Sequence, residues 1–341
     1  MKLPVYSSTI RRKEMDAVLT TMVSEKIGPG EMNQKLSQFA RELFASEGAA
    51  AFRSSAIALR YALRALDLPA GSGVIVSALA PFWQYQAVRD LGFEPVVADV
   101  DPDTALLTPS TVEVAVSQGG RVILVHESLG FLPDLPGLLA LNIPVIEDVS
   151  QSIGATLGGK QAGSFGTFSI IGLEETDYLT AGGGALLLAP DRRNAVVLKR
   201  LCDEGPLTDV LPDINSALGF VQLKEMSRNT EMRAEIASAY TRALMQSRHR
   251  TLLPQGESTN AVYSFPVVLS SGFKEVKQYT SRKDIEIDPV FESSIAGKLG
   301  ESLEGCINAK SLLMRCVLFP LYPRLGNANV AKISKVLATL P

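Results

Sequence analysis

The sequence has few of the residues from which metal sites and disulfide frameworks are built. Its 341 residues include three cysteines, Cys202, Cys306 and Cys316, without a CxxC pair, and two histidines, His126 and His249. Such spacing matches neither a zinc site nor a disulfide scaffold. We therefore expect no bound metal and, because unpaired cysteines are typical of reducing compartments, a cytoplasmic protein.

A strong excess of one charge and long apolar runs are also missing. The 33 basic and 36 acidic side chains give a net charge of −3. No apolar stretch reaches the roughly 18 residues that a membrane-spanning helix needs. A nearly balanced charge argues against nucleic acid or an anionic membrane as the main partner. We expect neither of them as a partner.

An alternation of short apolar runs with helix-length segments predicts the fold class. The apolar runs with strand length are 74–77, 95–98, 122–125, 144–146, 168–171 and 185–188. Helix-length segments lie at 54–67, 82–91, 109–118 and 134–141. Strands that alternate with helices favour an α/β fold with a mostly parallel sheet and helices on both faces.

The two ends of the chain have a different character. Amphipathic helices are predicted on both sides of Gly28-Pro29-Gly30, and a long helical region is predicted over 213–247. Beyond residue 250 an alternating strand at 262–269 begins a new pattern. We therefore predict a large domain over 1–250 and a small C-terminal α/β domain over 251–341.

Polar residues follow several of the predicted strands, at the sheet edge where α/β proteins bind ligands. Ser54 and Ser55 precede a helix whose N-terminus could bind a phosphate, although simple N-capping explains them equally well. Asp148 follows an apolar strand and could bind a pyridinium N–H, or could cap a helix. Phe82 and Trp83 could stack on a planar ring, or belong to the core.

Five stretches of the sequence occur in the order found in one known family. They are 121–134 (VH, Gly130 and Asp134, similar to VHxxGxxxD), 145–155 (similar to VIEDAAQAHGA), 163–166 (similar to GSFGD), 217–223 (similar to AAIGLAQL) and 318–323 (similar to LPLYP). The chain thus resembles the DegT-type sugar aminotransferases over nearly its whole length. That resemblance implies the fold-type I architecture of pyridoxal phosphate (PLP) enzymes.

The resemblance also implies roles for individual residues. Asp148 would bind the pyridine nitrogen, Gln151 would contact the ring substituents, and Phe82 or Trp83 would stack on the ring. The residues implied at the phosphate are Ser54, Ser55, Ala56 and Ser169. A homodimer, a nucleotide-sugar ligand and a role in sugar biosynthesis are implied in the same way, with PLP or pyridoxamine phosphate (PMP) as the cofactor.

The sequence departs from the family at the positions that bind the cofactor in that family. No lysine occurs at 161–198, the segment in which the family's lysine binds PLP as an imine. Counting from the two flanking motifs places Glu174 or Thr176 at that position. The family's SSGT loop has become Arg53-Ser54-Ser55-Ala56, and its NxR pair before residue 213 is missing.

Three hypotheses follow from these departures. In the first, the protein is a non-catalytic family member with weak or lost cofactor binding, which acts as a partner of an active paralogue or as a small-molecule binding protein. In the second, it is a lysine-independent PMP enzyme on a nucleotide-linked keto-sugar, with Glu174 or Glu175 as the general base. In the third, it is an aminotransferase that uses an unusual lysine, Lys160 or Lys199.

Overall fold

The computed structural model describes residues 2–341 as an α/β fold with a large central sheet and a smaller C-terminal sheet. The helices are α1 (Arg12–Val23), α2 (Glu31–Leu43), α3 (Ser55–Ala65), α4 (Phe82–Asp90), α5 (Pro109–Ser117), α6 (Leu135–Leu139), α7 (Arg192–Glu204), α8 (Asp213–Lys224), α9 (Met226–Leu244), α10 (Phe273–Ser281), α11 (Ile295–Leu299), α12 (Ile307–Arg315) and α13 (Asn327–Ala338). The strands are β1 (Gly48–Phe52), β2 (Gly73–Ser77), β3 (Glu94–Ala98), β4 (Gly120–His126), β5 (Val145–Asp148), β6 (Thr156–Leu157), β7 (Lys160–Gln161), β8 (Phe168–Gly172), β9 (Ala185–Ala189), β10 (Ser258–Thr259), β11 (Phe265–Val268), β12 (Asp288–Pro289) and β13 (Cys316–Phe319).

The central sheet has seven strands in the order β1-β9-β8-β5-β4-β2-β3. Neighbouring strands from β8 through β3 run parallel, whereas β9 is antiparallel to both β8 and β1. The predicted α/β class and mostly parallel sheet are therefore confirmed. All strands of the parallel set point their carboxyl ends to the same edge, and polar residues collect there.

Helices cover both faces of this sheet, as the alternation predicted. Val74 and Val76 of β2 pack with residues of α3, α4 and α7, whereas Ile75 packs on the opposite face with residues of α5 and α6. Successive side chains of a strand point to opposite faces, so a strand covered on both sides must be apolar throughout. The apolar runs of the sequence reflect this double burial.

The C-terminal part of the chain forms its own layer. The strands β11, β13 and β12 make an antiparallel sheet that packs against α9 and α13. The Tyr240 ring of α9 meets Phe265 edge-on, with 5.2 Å between ring centroids. This arrangement agrees with a smaller C-terminal α/β unit, and the boundary near residue 250 stays a prediction.

Two details differ from the expected elements. The predicted helical region 213–247 is divided into α8 and α9, because Glu225 between them departs from helical geometry. The apolar stripe of α1 faces solvent rather than the core in the described chain, with Met15, Leu19 and Met22 more than half exposed. Within residues 2–341, no helix combines the length and the apolar character that crossing a bilayer requires.

Candidate functional site

Two parallel strands bring His126 and Asp148 together at the carboxyl edge of the central sheet. The strand β4 ends at His126, β5 ends at Asp148, and the two residues are register partners. His126 Nδ1 lies 2.8 Å from Asp148 Oδ2, and the two residues are only 5% and 1% exposed. The strand register therefore builds a buried histidine–carboxylate pair.

The Asp148 carboxylate is fully occupied by groups of the chain itself. Oδ2 accepts a hydrogen bond from Gln84 Nε2 at 2.6 Å and faces His126, while Oδ1 accepts from the backbone N–H of Ser150 at 3.1 Å and from the Ser150 hydroxyl. Burial raises the pKa of Asp148, but the His126 ring and the Ser150 hydrogen bonds outweigh burial and leave that pKa below its ordinary value. A carboxylate offers about four acceptor positions, so all of them are used.

A second pair of buried carboxyl groups fixes the loop that precedes β8. Glu147 accepts three backbone N–H groups from residues 163–166, and Glu127 accepts the Ser152 hydroxyl. Burial and the neighbouring Glu147 raise the pKa of Glu127 well above its ordinary value. Glu147 therefore holds the GSFG segment at 163–166 against β5.

A cavity of about 450 Å³ opens at this edge, between the central sheet and the segment around β12. Its polar and aromatic lining consists of Tyr6, Trp83, His126, Ser128, Gln151, Glu174, Thr176, Asp177, Tyr263, Asp288, Phe291, Glu292, Ser293 and Ser294. Asp148 and Gln84 are not part of this lining. Because Nδ1 of His126 faces Asp148, the ring nitrogen available to a ligand is Nε2.

Within the described chain, the cavity lining has acidic side chains but no lysine or arginine. The acidic side chains are those of Glu174, Asp177, Asp288 and Glu292. No ion pair within residues 2–341 involves any of these four carboxylates. Among the same residues, no group of His, Cys, Asp and Glu is close enough to hold a metal ion.

The pKa of Asp177 is strongly shifted. Burial, followed by the charges of Asp148 and Glu174, raises the pKa of Asp177 to about 7, although the Glu174 N–H donates to its Oδ2 at 2.8 Å. A Cβ at Gly172 would lie 2.3 Å from that oxygen, so glycine at 172 makes room for the carboxylate. Sequence reasoning missed Asp177, because counting from the flanking motifs pointed only to positions 174 and 176.

The predicted site residues divide into two groups. Those that line the cavity are Trp83, Gln151 and Glu174, whereas those that do not are Ser54, Ser55, Ala56, Phe82, Asp148, Ser169 and Glu175. Gln151 is held in place by its Oε1, which accepts the backbone N–H of Leu129 at 2.7 Å. The structure therefore brings together less than half of the predicted set.

The residues outside the cavity have structural contacts of their own. Ser54 caps α3, since its hydroxyl accepts the Ile57 N–H at 3.2 Å. Phe82 stacks on Tyr85 with 5.6 Å between ring centroids. Ser169 donates to the carbonyl oxygen of Gly163 at 2.9 Å. Each of these contacts has a role in the fold that needs no ligand.

The two lysines considered as substitutes lie elsewhere. Lys160 belongs to the exposed strand β7, with its Nζ 5.2 Å from the centroid of the Phe165 ring. Lys199 belongs to α7, with its Nζ 3.7 Å from the carboxylate of Asp203. Neither lysine lines the cavity that contains Trp83 and His126.

Solved structures share this architecture. An aminotransferase from Psychrobacter cryohalolentis has 21% sequence identity and a TM-score of 0.89, with 98% of both chains covered. The aminotransferase TlmJ from Streptoalloteichus hindustanus has 19% identity and a TM-score of 0.90, again with 98% of both chains covered. The E. coli GDP-4-keto-6-deoxy-D-mannose-3-dehydratase with bound hydrated PLP has 18% identity and a TM-score of 0.88, with 99% of both chains covered.

The sequence itself decides the family. The model of the DegT/DnrJ/EryC1/StrS aminotransferase family matches residues 8–338, which is nearly the whole chain. The matched region includes every strand of the central sheet and all the cavity-lining residues except Tyr6. The chain belongs to the DegT/DnrJ/EryC1/StrS aminotransferase family.

Proposed function

We propose that this protein is a family member that does not hold PLP through an imine and that acts as a non-catalytic ligand-binding protein. The observation that carries the proposal is the state of Asp148, whose acceptor positions are all taken by Gln84, His126 and Ser150. Asp148 also lies outside the cavity lining, in contact with His126, which belongs to it. A carboxylate in this position stabilises the fold instead of binding a cofactor.

The residues at the cavity do not fit the cofactor. PLP presents an aldehyde, a pyridine nitrogen and a phosphate, which ordinarily require a lysine, an acceptor and a set of cations or N–H donors. The lining contains no lysine, the nearby acceptor Asp148 is saturated, and Glu174, Asp177, Asp288 and Glu292 would repel a phosphate. The predicted nucleotide-sugar ligand would meet the same repulsion through its phosphates. We therefore expect cofactor binding to be weak or lost.

A partner subunit is a second part of the proposal. The family resemblance implies a homodimer, and an inactive chain could equally associate with an active paralogue. The exposed apolar side chains of α1, Met15, Leu19 and Met22, agree with a surface that another chain covers. Size-exclusion chromatography with light scattering would distinguish a dimer from a monomer.

One observation favours the lysine-independent PMP enzyme as an alternative. Glu174 lines the cavity close to the turn of glycines, with its Oε2 3.6 Å from the position of a Cβ on Gly183, whereas Glu175 does not line the cavity. The alternative therefore rests on Glu174. It predicts turnover of a keto-sugar in the presence of PMP, and loss of that turnover in Glu174→Gln.

A titration of the purified protein with PLP, and separately with PMP, tests the main proposal. Saturating binding raises the melting temperature, since a ligand at 100 times its Kd stabilises the fold by about 2.7 kcal/mol. We expect neither a melting shift nor an imine absorbance band. A Thr176→Lys variant, which places an amine in the cavity, is the control for imine detection. A melting rise of several degrees with wild-type protein would contradict the proposal.

A further inference from the structure

Four carboxylates without a basic side chain beside them in the described lining are the distinctive property of the cavity. Glu174 and Asp177 approach from the segment after β8, and Asp288 and Glu292 approach from β12 and the turn that follows it. Walls that carry charge of one sign concentrate ions of the opposite sign. Within the described chain no lysine or arginine lines the cavity, and the nearby cations Lys277 and Arg233 lie outside the lining, so the field inside the cavity favours a cationic ligand.

A buried hydroxyl without a partner lines the same cavity. Ser128 is 2% exposed, and its Oγ has no hydrogen-bond partner within the described residues 2–341. Buried polar atoms are nearly always paired, so this hydroxyl indicates a missing donor or acceptor. A hydroxyl can accept an N–H from a ligand. Ser128 is thus an observation independent of the carboxylates that points to a polar ligand.

Aromatic rings complete the lining and distinguish an organic cation from a metal ion. The rings of Tyr6 and Tyr263 lie 6.3 Å apart, and Trp83 lines the cavity as well. Aromatic faces attract organic cations, whereas Ca²⁺ and Mg²⁺ require a close shell of oxygen ligands. The described residues contain no such cluster of acidic ligands. The carboxylates therefore line a space for a ligand and do not converge on a single metal position.

We infer that the cavity binds a compact organic ammonium ion, with its N–H groups directed to Asp177, Glu174 and the Ser128 hydroxyl and its carbon skeleton against Trp83 and Tyr263. The volume of about 450 Å³ suits a small molecule. This inference rests on the proposed function, because it names the ligand class of a protein proposed to bind ligands. Such a site selects a positively charged ligand, whereas a phosphate cofactor is negatively charged.

The inference carries a pH dependence that follows from Asp177. The titratable and charged groups around Asp177 are Glu174, Asp148, Tyr263 and Arg233. Because the pKa of Asp177 is raised to about 7, its carboxyl group is mostly neutral at pH 6 and mostly ionised at pH 8. An amine that stays protonated throughout this range binds more tightly at pH 8, by roughly threefold to tenfold.

The test uses two probes of equal size that differ in charge, phenethylamine and 2-phenylethanol. The chain contains a single tryptophan, Trp83, which lines the cavity, so its fluorescence reports occupancy directly. We expect saturable binding of the amine at pH 8 and binding of the alcohol that is at least about tenfold weaker. Asp177→Asn should weaken amine binding about tenfold, whereas Glu301→Gln, an exposed site outside the cavity, should leave it unchanged.

The outcomes separate this inference from the proposed function. Equal affinity for the two probes, absence of amine binding, or unchanged amine binding in Asp177→Asn would overturn the ammonium specificity and leave the proposed function standing. A PLP imine in the wild-type protein would overturn the proposed function, while the comparison of the two probes would still decide the preference for charge.

Discussion

Replacing Asp148 by asparagine tests whether this side chain serves the fold. Asparagine keeps the size of the side chain but turns one acceptor oxygen into a donor. Oδ2 of Asp148 accepts from Gln84 and faces the His126 ring, while Oδ1 accepts both the backbone N–H and the hydroxyl of Ser150. In either orientation the new NH₂ group therefore meets an N–H donor, that of Gln84 Nε2 or that of the Ser150 backbone, in a position that is 1% exposed.

The expected loss of stability is large. Removing one partner from a buried charged network costs about 3–5 kcal/mol, since the remaining groups stay buried and unpaired. The pKa of Asp148 is lowered in the folded protein, so its contribution is present above the ordinary aspartate pKa and is lost as the pH falls through the folded-state value. The difference between variant and wild type should persist from pH 6 to 8 and shrink below about pH 4.

Urea unfolding at pH 7, followed by far-UV circular dichroism and by Trp83 fluorescence, measures this loss. The matched control is Asp203→Asn, an exposed aspartate on α7 near Lys199, which should change the free energy of unfolding by less than about 0.5 kcal/mol. A loss below about 1 kcal/mol in Asp148→Asn would refute the assignment of Asp148 to the fold. An Asp148 kept for a cofactor would be dispensable in the cofactor-free protein.

Three further substitutions probe other parts of the account. Asp177→Asn should raise the melting temperature most at pH 8, less at pH 5.5 and little near pH 4, because a folded-state pKa raised from 3.8 to about 7 means that stability is lost as the pH rises from the lower value to the higher one; thermal unfolding at the three pH values decides this. Glu147→Gln should cost about 2–4 kcal/mol in urea unfolding, since the carboxylate accepts three backbone N–H groups of residues 163–166. Phe319→Ala should cost about 3–5 kcal/mol in the same assay, because the ring is fully buried in the C-terminal sheet.

The sequence predicted the fold because burial leaves a local pattern. Strands covered on both faces must be apolar along their whole length, so β2, β5, β8 and β9 stand out as runs, and the helices between them repeat at helical spacing. The sequence motifs at 145–155 and 163–166 then identified the family, which the match over 8–338 confirms. Local patterns and ordered motifs were therefore sufficient to predict the fold class and the family.

The site was harder to predict because its properties depend on distant contacts. Gln84 lies 64 residues before Asp148, and only the folded chain shows that its amide occupies the carboxylate. The raised pKa of Asp177 likewise depends on Asp148 and on burial, neither of which can be read from the run at 174–177. Ser54 illustrates the converse, since capping and phosphate binding give the same sequence signal and only the contact with Ile57 is visible in the fold.

The most direct test of the central claim is borohydride reduction of the wild-type protein after incubation with PLP, followed by intact mass measurement and peptide mapping. The account predicts no stoichiometric pyridoxyl-lysine, only scattered partial labelling of exposed lysines that PMP does not suppress. A single lysine labelled at one equivalent, whether Lys160, Lys199 or another, and protected by PMP would contradict it. Such a result would mean that the cavity holds the cofactor after all.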